Sequence, residues 1–193
     1  MICKIVIAFI SLVGLASCQI YDIGTCPLDQ SPAQFQMDKF YGKWYEIARV
    51  ENGVVAGETC VTFNISSQTS YLSGHPVTQT GYDKTGKLEY VYIGNLETWD
   101  DNFLLEYGEY PYGFNILDTD YDNYAVVLGC GLFPPLGYWF PFLLVRVRVA
   151  WILSRTPTID HALQAQLIKT LTSGGVGKSK LIFPSTVNCP ANY

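Results

Sequence analysis

Gly42-Lys43-Trp44-Tyr45-Glu46-Ile47-Ala48-Arg49 is the stretch that decides the fold. A glycine opens it, a tryptophan follows two residues later, and polar and apolar residues then alternate as in a strand. Such a strand can turn its large indole under the end of a barrel. Far downstream lie Asp118-Thr119-Asp120-Tyr121 and Ala150-Trp151-Ile152-Leu153-Ser154-Arg155. The late arginine can lie on the face of the first tryptophan as a cation–π partner, which closes one end of a cup.

Short alternating or apolar runs separated by turn residues fill the chain outward from that stretch. They predict strands near 43–49, 60–66, 77–82, 87–93, 102–107, 112–118, 123–129 and 145–154. One helix follows, capped by Thr156 or Thr158, with Ile159, Leu163, Leu167 and Leu171 recurring every four residues along one face. Ser173-Gly174-Gly175 stops it, and Lys180 to Pro184 reads as a short final strand. The expected architecture is all-β: an eight-stranded antiparallel up-and-down barrel with one C-terminal helix packed outside.

Residues 1–18 read as a secretory signal, with Lys4 at the start, an apolar stretch from Ile5 to Leu15, and Ala16-Ser17-Cys18 before cleavage. The rival reading takes Leu15-Ala16-Ser17-Cys18 as a bacterial lipidation box. The sequon Asn64-Ile65-Ser66 and four later cysteines favour a eukaryotic secretory route, with Asn64 as a glycosylation site and an extracellular protein as the product. Residues 19–193 then form a single domain. Without the signal the chain carries 11 Lys+Arg against 17 Asp+Glu, a balance that argues against nucleic acid as a partner. Cys26, Cys60, Cys130 and Cys189 remain, an even number that favours two disulfides, and sequence alone allows three pairings.

The three quoted segments, in this order and at this spacing, resemble the signature regions of the lipocalin family. Within that family the chain resembles the apolipoprotein D-like and the arthropod bilin- and carotenoid-binding branches. The resemblance covers the whole secreted chain and implies the pairs Cys26–Cys130 and Cys60–Cys189. It also implies that Gly42, Trp44, Thr119, Asp120, Tyr121 and Arg155 close the base of the cup and hold the turn beside it.

Alternation assigns the lining once one inward residue is set. With Arg155 turned inward at the closed end, Leu153, Trp151, Val149 and Val147 share its face, and Arg146 and Arg148 point to solvent. The resemblance places Trp151 in the ligand cavity and turns Tyr90 and Tyr92 inward, with Tyr112 and Tyr110 on the neighbouring wall. Aromatic faces with a few hydroxyls suit a flat or elongated apolar molecule: a bilin, carotenoid, retinoid, steroid or other lipid. The same aromatics could instead simply fill a barrel core.

Gly131 to Leu144, GLFPPLGYWFPFLL, is an uncharged apolar connection longer than the hairpin that the lipocalin pattern expects there. Pro134, Pro135 and Pro141 forbid a regular helix or central strand through it, so a loop is expected. Contact with a membrane, a lipoprotein or a second copy is one reading, and folding over the barrel mouth is the other.

Catalytic readings lack their parts. Only His75 and His161 are present, and there is no His-Glu-x-x-His, no Cys-x-x-Cys and no Gly-x-Ser-x-Gly elbow. Gly177-Lys178-Ser179 is not a phosphate loop, because Thr172 stands at the first glycine position and a helix precedes it. The expectation is a non-enzymatic, metal-free secreted carrier of a small hydrophobic ligand. No cofactor is required beyond a bound bilin, carotenoid or lipid. The alternatives are a pigment protein for coloration and a lipid-surface protein acting through residues 131–144.

Overall fold

The computed structural model describes residues 20–24, 26, 31, 35–50, 57–69, 74–99, 102–107, 110–133, 145–191 and 193. In chain order the elements are β1 (Ile20–Ile23), α1 (Met37–Phe40), β2 (Gly42–Val50), β3 (Thr59–Ile65), β4 (His75–Tyr82), β5 (Leu88–Trp99), β6 (Asn102–Tyr107), β7 (Tyr110–Thr119), β8 (Tyr124–Phe133), β9 (Val145–Ser154), α2 (His161–Ser173) and β10 (Leu181–Ile182). Strands β2 to β9 each pair antiparallel with the next, and β9 returns to β2 to close the barrel. The short β1 adds to the outer edge of β9 and β10 to that of β2, so the eight expected strands form the closed wall. Closure removes the open edges that would otherwise invite pairing with other chains.

The wall is apolar on both faces over much of its area, for different reasons. Alternate residues of β2 to β9 meet in an inner cluster that includes Trp44, Phe63, Ile65, Val77, Leu96, Leu105, Phe114, Trp151 and Leu153. The opposite face of β2, β8 and β9 carries Ala48, Val50, Val126, Leu128, Ala150 and Ile152, which pack under Leu167 and Leu171 of α2. That is why the helix lies outside: its four-residue stripe covers an apolar patch on the outer face of the sheet. Each fully buried leucine of this kind contributes about 1.5–3 kcal/mol.

Three boundaries differ most from the sequence expectation, the first being the end of β5, which runs to Trp99 and not to Ile93 because its pairing with β6 continues to Trp99 and Asn102. Helix α2 is capped by Asp160, not by Thr156 or Thr158: the Asp160 carboxylate accepts from the backbone N–H of Ala162 at 2.8 Å and of Leu163 at 3.3 Å. Thr156 spends its hydroxyl on the carbonyl of Thr158 at 2.8 Å, within the turn around Pro157, so the helix cannot begin there. The apolar loop also begins later than Gly131. Gly131, Leu132 and Phe133 prolong β8, paired with Val147, Arg146 and Val145, because ladder pairing with β9 persists until the Pro134-Pro135 break. The remaining residues 134–144, the signal 1–18 and most of the 50–57 connection lie outside the described residues.

Disulfides join Cys26 to Cys130, 104 residues apart, and Cys60 to Cys189, 129 residues apart. They tie the N-terminal arm to β8 and the C-terminal tail to β3. Loops of that length contribute on the order of 4–5 kcal/mol each in the chain-entropy picture.

Candidate ligand site inside the barrel

The narrow end is sealed from beneath. Gly42 starts β2 at φ +95°, a conformation that a side chain would strain, and this lets the chain turn from α1 directly under the barrel. The Trp44 indole N–H donates to the Phe40 carbonyl at 2.8 Å, and the Arg155 guanidinium lies 3.6 Å from the indole ring centre. Arg155 also donates to the carbonyls of Tyr121 at 3.0 Å, Lys43 at 2.9 Å and Lys39 at 2.9 Å. One side chain thus ties together α1, β2 and the β7–β8 turn. That turn is held by Asp120, whose carboxylate accepts from the backbone of Asn123 at 2.8 Å and Tyr124 at 3.0 Å, and by Thr119, which donates to Tyr124 at 2.6 Å. Tyr121, at φ +67°, accepts from the Gln36 backbone N–H at 3.0 Å. His75 is engaged nearby, with one ring nitrogen 3.0 Å from the Tyr41 hydroxyl and the other 3.1 Å from the Ser66 carbonyl.

Above the seal the inner wall is nearly solid. Phe63, Ile65, Val77, Leu96, Leu105, Phe114, Trp151 and Leu153 enclose a cavity of only about 10 Å³, room for one water-sized group. Of Trp151, Tyr90, Tyr92 and Tyr112, expected either to line a cavity or to fill the core, Trp151 alone lines this lower half. Trp151 forms its ceiling, with the rings of Phe63 and Phe114 at 5.8 and 6.4 Å. Val149 and Val147 continue the same buried face of β9 toward the wide end.

The tyrosines sit higher. Tyr90 and Tyr92 share the face of β5 that lower down carries Leu96 into the inner cluster. Their rings touch at 4.6 Å between centres. The Tyr90 hydroxyl accepts from Gln79 at 3.4 Å, and its ring occupies the space that a side chain at Gly81 would need. Tyr92 is 36% exposed, which puts it at the mouth. Tyr112 packs against the inner cluster from β7, and the side chain of Tyr110 lies outside the described residues.

Three charged residues that were not among the expected lining stand beside Trp151. β2 bulges between Glu46 and Ala48, so Ile47 and Ala48 both face the outer cluster, while Glu46 and Arg49 both face inward, opposite Leu153 and Trp151. Arg49 Nη1 donates to Glu46 Oε1 at 2.5 Å, and Nη2 lies 3.6 Å from Glu58 Oε2. All three are buried. Burial pushes the Glu46 carboxyl pKa up; the charge and hydrogen bond of Arg49 oppose the shift, and the charge of Glu58 adds to it. Alternation counted from Trp44 reaches Glu46, but it would send Arg49 outward. Only the bulge brings Arg49 inside, and no residue pattern announces it.

The closed eight-stranded barrel with its outer helix has the lipocalin fold. Among known proteins the chain is similar to apolipoprotein D of Mus musculus, 28% identical over 188 residues covering 93% of this chain and 94% of that protein. It is also 27% identical to the bilin-binding protein of Pieris brassicae over 129 residues, 63% of this chain and 66% of that one. In structure it matches insecticyanin from Manduca sexta with a TM-score of 0.66 at 22% identity, over 89% of this chain and 92% of that one. Lobster apocrustacyanin A1 matches with a TM-score of 0.63 at 20% identity, over 80% and 82%. No protein-family model matches the chain.

Proposed function

We propose that this protein is a secreted carrier that holds one small hydrophobic molecule in the upper half of its barrel. The observation that carries the reading is the contrast between the two halves. The base is packed solid beneath Trp151, whereas the wall above it is aromatic, with Tyr90, Tyr92 and Tyr112 leading to the mouth. Binding would be driven by desolvation of the ligand against those rings, and no reaction is called for. The likeness to a bilin-binding protein supports a pigment as the second reading. Native mass spectrometry with an absorption spectrum, on protein purified from its source without refolding, tests both. A single co-purifying mass is expected, and a visible band would select the pigment. A protein that is empty and takes up no apolar probe would overturn the carrier reading.

We also propose that Asn64 carries an N-linked glycan. It is the one exposed residue of β3, on the outer face, with Thr78 and then Ile93 on the next two rungs of the sheet. A glycan there would extend over Ile93 and Val91, which are 74% and 50% exposed. Endoglycosidase treatment of the native protein should lower its mass by one glycan. Asn64→Gln should raise self-association in sedimentation, and Ile93→Thr should restore the monomer. An unchanged mass would remove the assignment.

A further inference from the structure

We infer that the barrel takes its ligand polar end first, and that this end is an uncharged hydroxyl received jointly by Trp151 and Glu46; the inference rests on the carrier reading above. The apolar part of the ligand would then point up, toward the tyrosines at the mouth.

Depth comes from packing. The cavity of about 10 Å³ under Trp151 admits no alkyl chain or ring, so whatever enters from the mouth stops at the indole. Among the buried side-chain atoms without a hydrogen-bond partner are Trp151 Nε1, a donor, and, one inward rung nearer the base, Glu46 Oε2, an acceptor. An apolar wall would not leave such atoms, since each gives up water and gains nothing in return.

The register sets them within reach of one another. Glu46 pairs with Leu153, and Trp151 lies two residues along β9 on the same inward face. Diagonal neighbours of this kind stand about 7–8 Å apart at their backbones, near enough for two long side chains to reach one ligand atom. A hydroxyl does both tasks at once: its oxygen accepts from the indole N–H and its proton is donated to the carboxylate. A methyl or other hydrocarbon end satisfies neither atom, and an ammonium has no acceptor for the indole.

Charge excludes the remaining common polar end. The Arg49 guanidinium already faces two carboxylates, Glu46 at 2.5 Å and Glu58 at 3.6 Å. A ligand carboxylate would bring a third negative group to a single buried cation, where like charges are poorly screened. The arginine that would seem to invite a fatty acid therefore does not.

The test uses the whole disulfide-bonded protein, stripped of lipid, and displacement of an apolar fluorescent reporter at neutral pH. The probes are two sets of matched alcohols, acids and hydrocarbons: retinol with retinoic acid and deoxyretinol, and tetradecanol with myristic acid and tetradecane. The alcohol of whichever set fits should bind at least about tenfold tighter than its acid and its hydrocarbon. Trp151→Phe should bring alcohol and hydrocarbon together, and Glu46→Gln should erase most of the preference over the acid. The Trp151 indole N–H resonance should shift with the alcohol and not with the hydrocarbon, a readout that stands even if a variant fails to fold. An acid that binds as well as its alcohol, or an indole resonance indifferent to the hydroxyl, would overturn the inference and leave the carrier reading intact. Failure of all six probes to displace the reporter would overturn the carrier reading itself.

Discussion

Trp44→Ala is expected to destabilise the protein by about 3–5 kcal/mol, read as a lower urea midpoint at unchanged slope. The indole is fully buried, and its loss opens a large cavity beneath a wall that cannot collapse, because the barrel is closed. Two further ties fail with it. The Phe40 carbonyl loses its donor, so α1 loses its anchor under the barrel. The Arg155 guanidinium loses the ring it lies on, although its three bonds to backbone carbonyls remain. Trp44→Phe keeps a ring for Arg155 and most of the volume, and should cost clearly less. A loss below about 1 kcal/mol for the alanine variant would mean that the base is not the keystone described.

Arg49→Ala should cost a similar amount, about 3–5 kcal/mol, because it leaves two buried carboxylates without their cation. The signature of this deficit is its pH dependence. Burial already raises the Glu46 pKa above its ordinary 4.5, and Arg49 is the group that opposes the rise. Without Arg49 the folded-state pKa climbs further. A group whose pKa is raised on folding stabilises the fold below the unfolded value and loses that contribution as pH rises through the folded one. The variant should therefore lie nearest the native protein at or below about pH 4.5 and fall progressively behind at higher pH. Urea midpoints between pH 4 and 8 check this. A deficit constant across that range would mean that lost packing of the arginine stem, not unpaired charge, is responsible.

Legibility in the sequence followed the range of the interaction involved. The Gly42-Lys43-Trp44 opening and Arg155 could be read because a positive-φ glycine and a cation over an indole restrict residue type at fixed positions. The helix face could be read because Leu167 and Leu171 must share one side. Its start is not legible in the sequence, because three residues able to cap, Thr156, Thr158 and Asp160, stand close together, and only the path around Pro157 chooses among them. The end of β8 was likewise set by its partner strand: Gly131, Leu132 and Phe133 look like loop until β9 lies beside them.

The sequence by itself determined the class of fold, the count of barrel strands, the outer helix and the sealed base, since each is written in local periodicity or in a residue type that a backbone position demands. Tertiary structure alone decided that the lower barrel is solid, that Glu46, Arg49 and Glu58 are buried together, and that Trp151 Nε1 and Glu46 Oε2 lack hydrogen-bond partners. The physical reason is the bulge at Ile47. One extra residue reverses the facing of everything after it in the strand, and whether a strand bulges depends on the competing demands of β3, β9 and the helix, which meet only in the closed barrel.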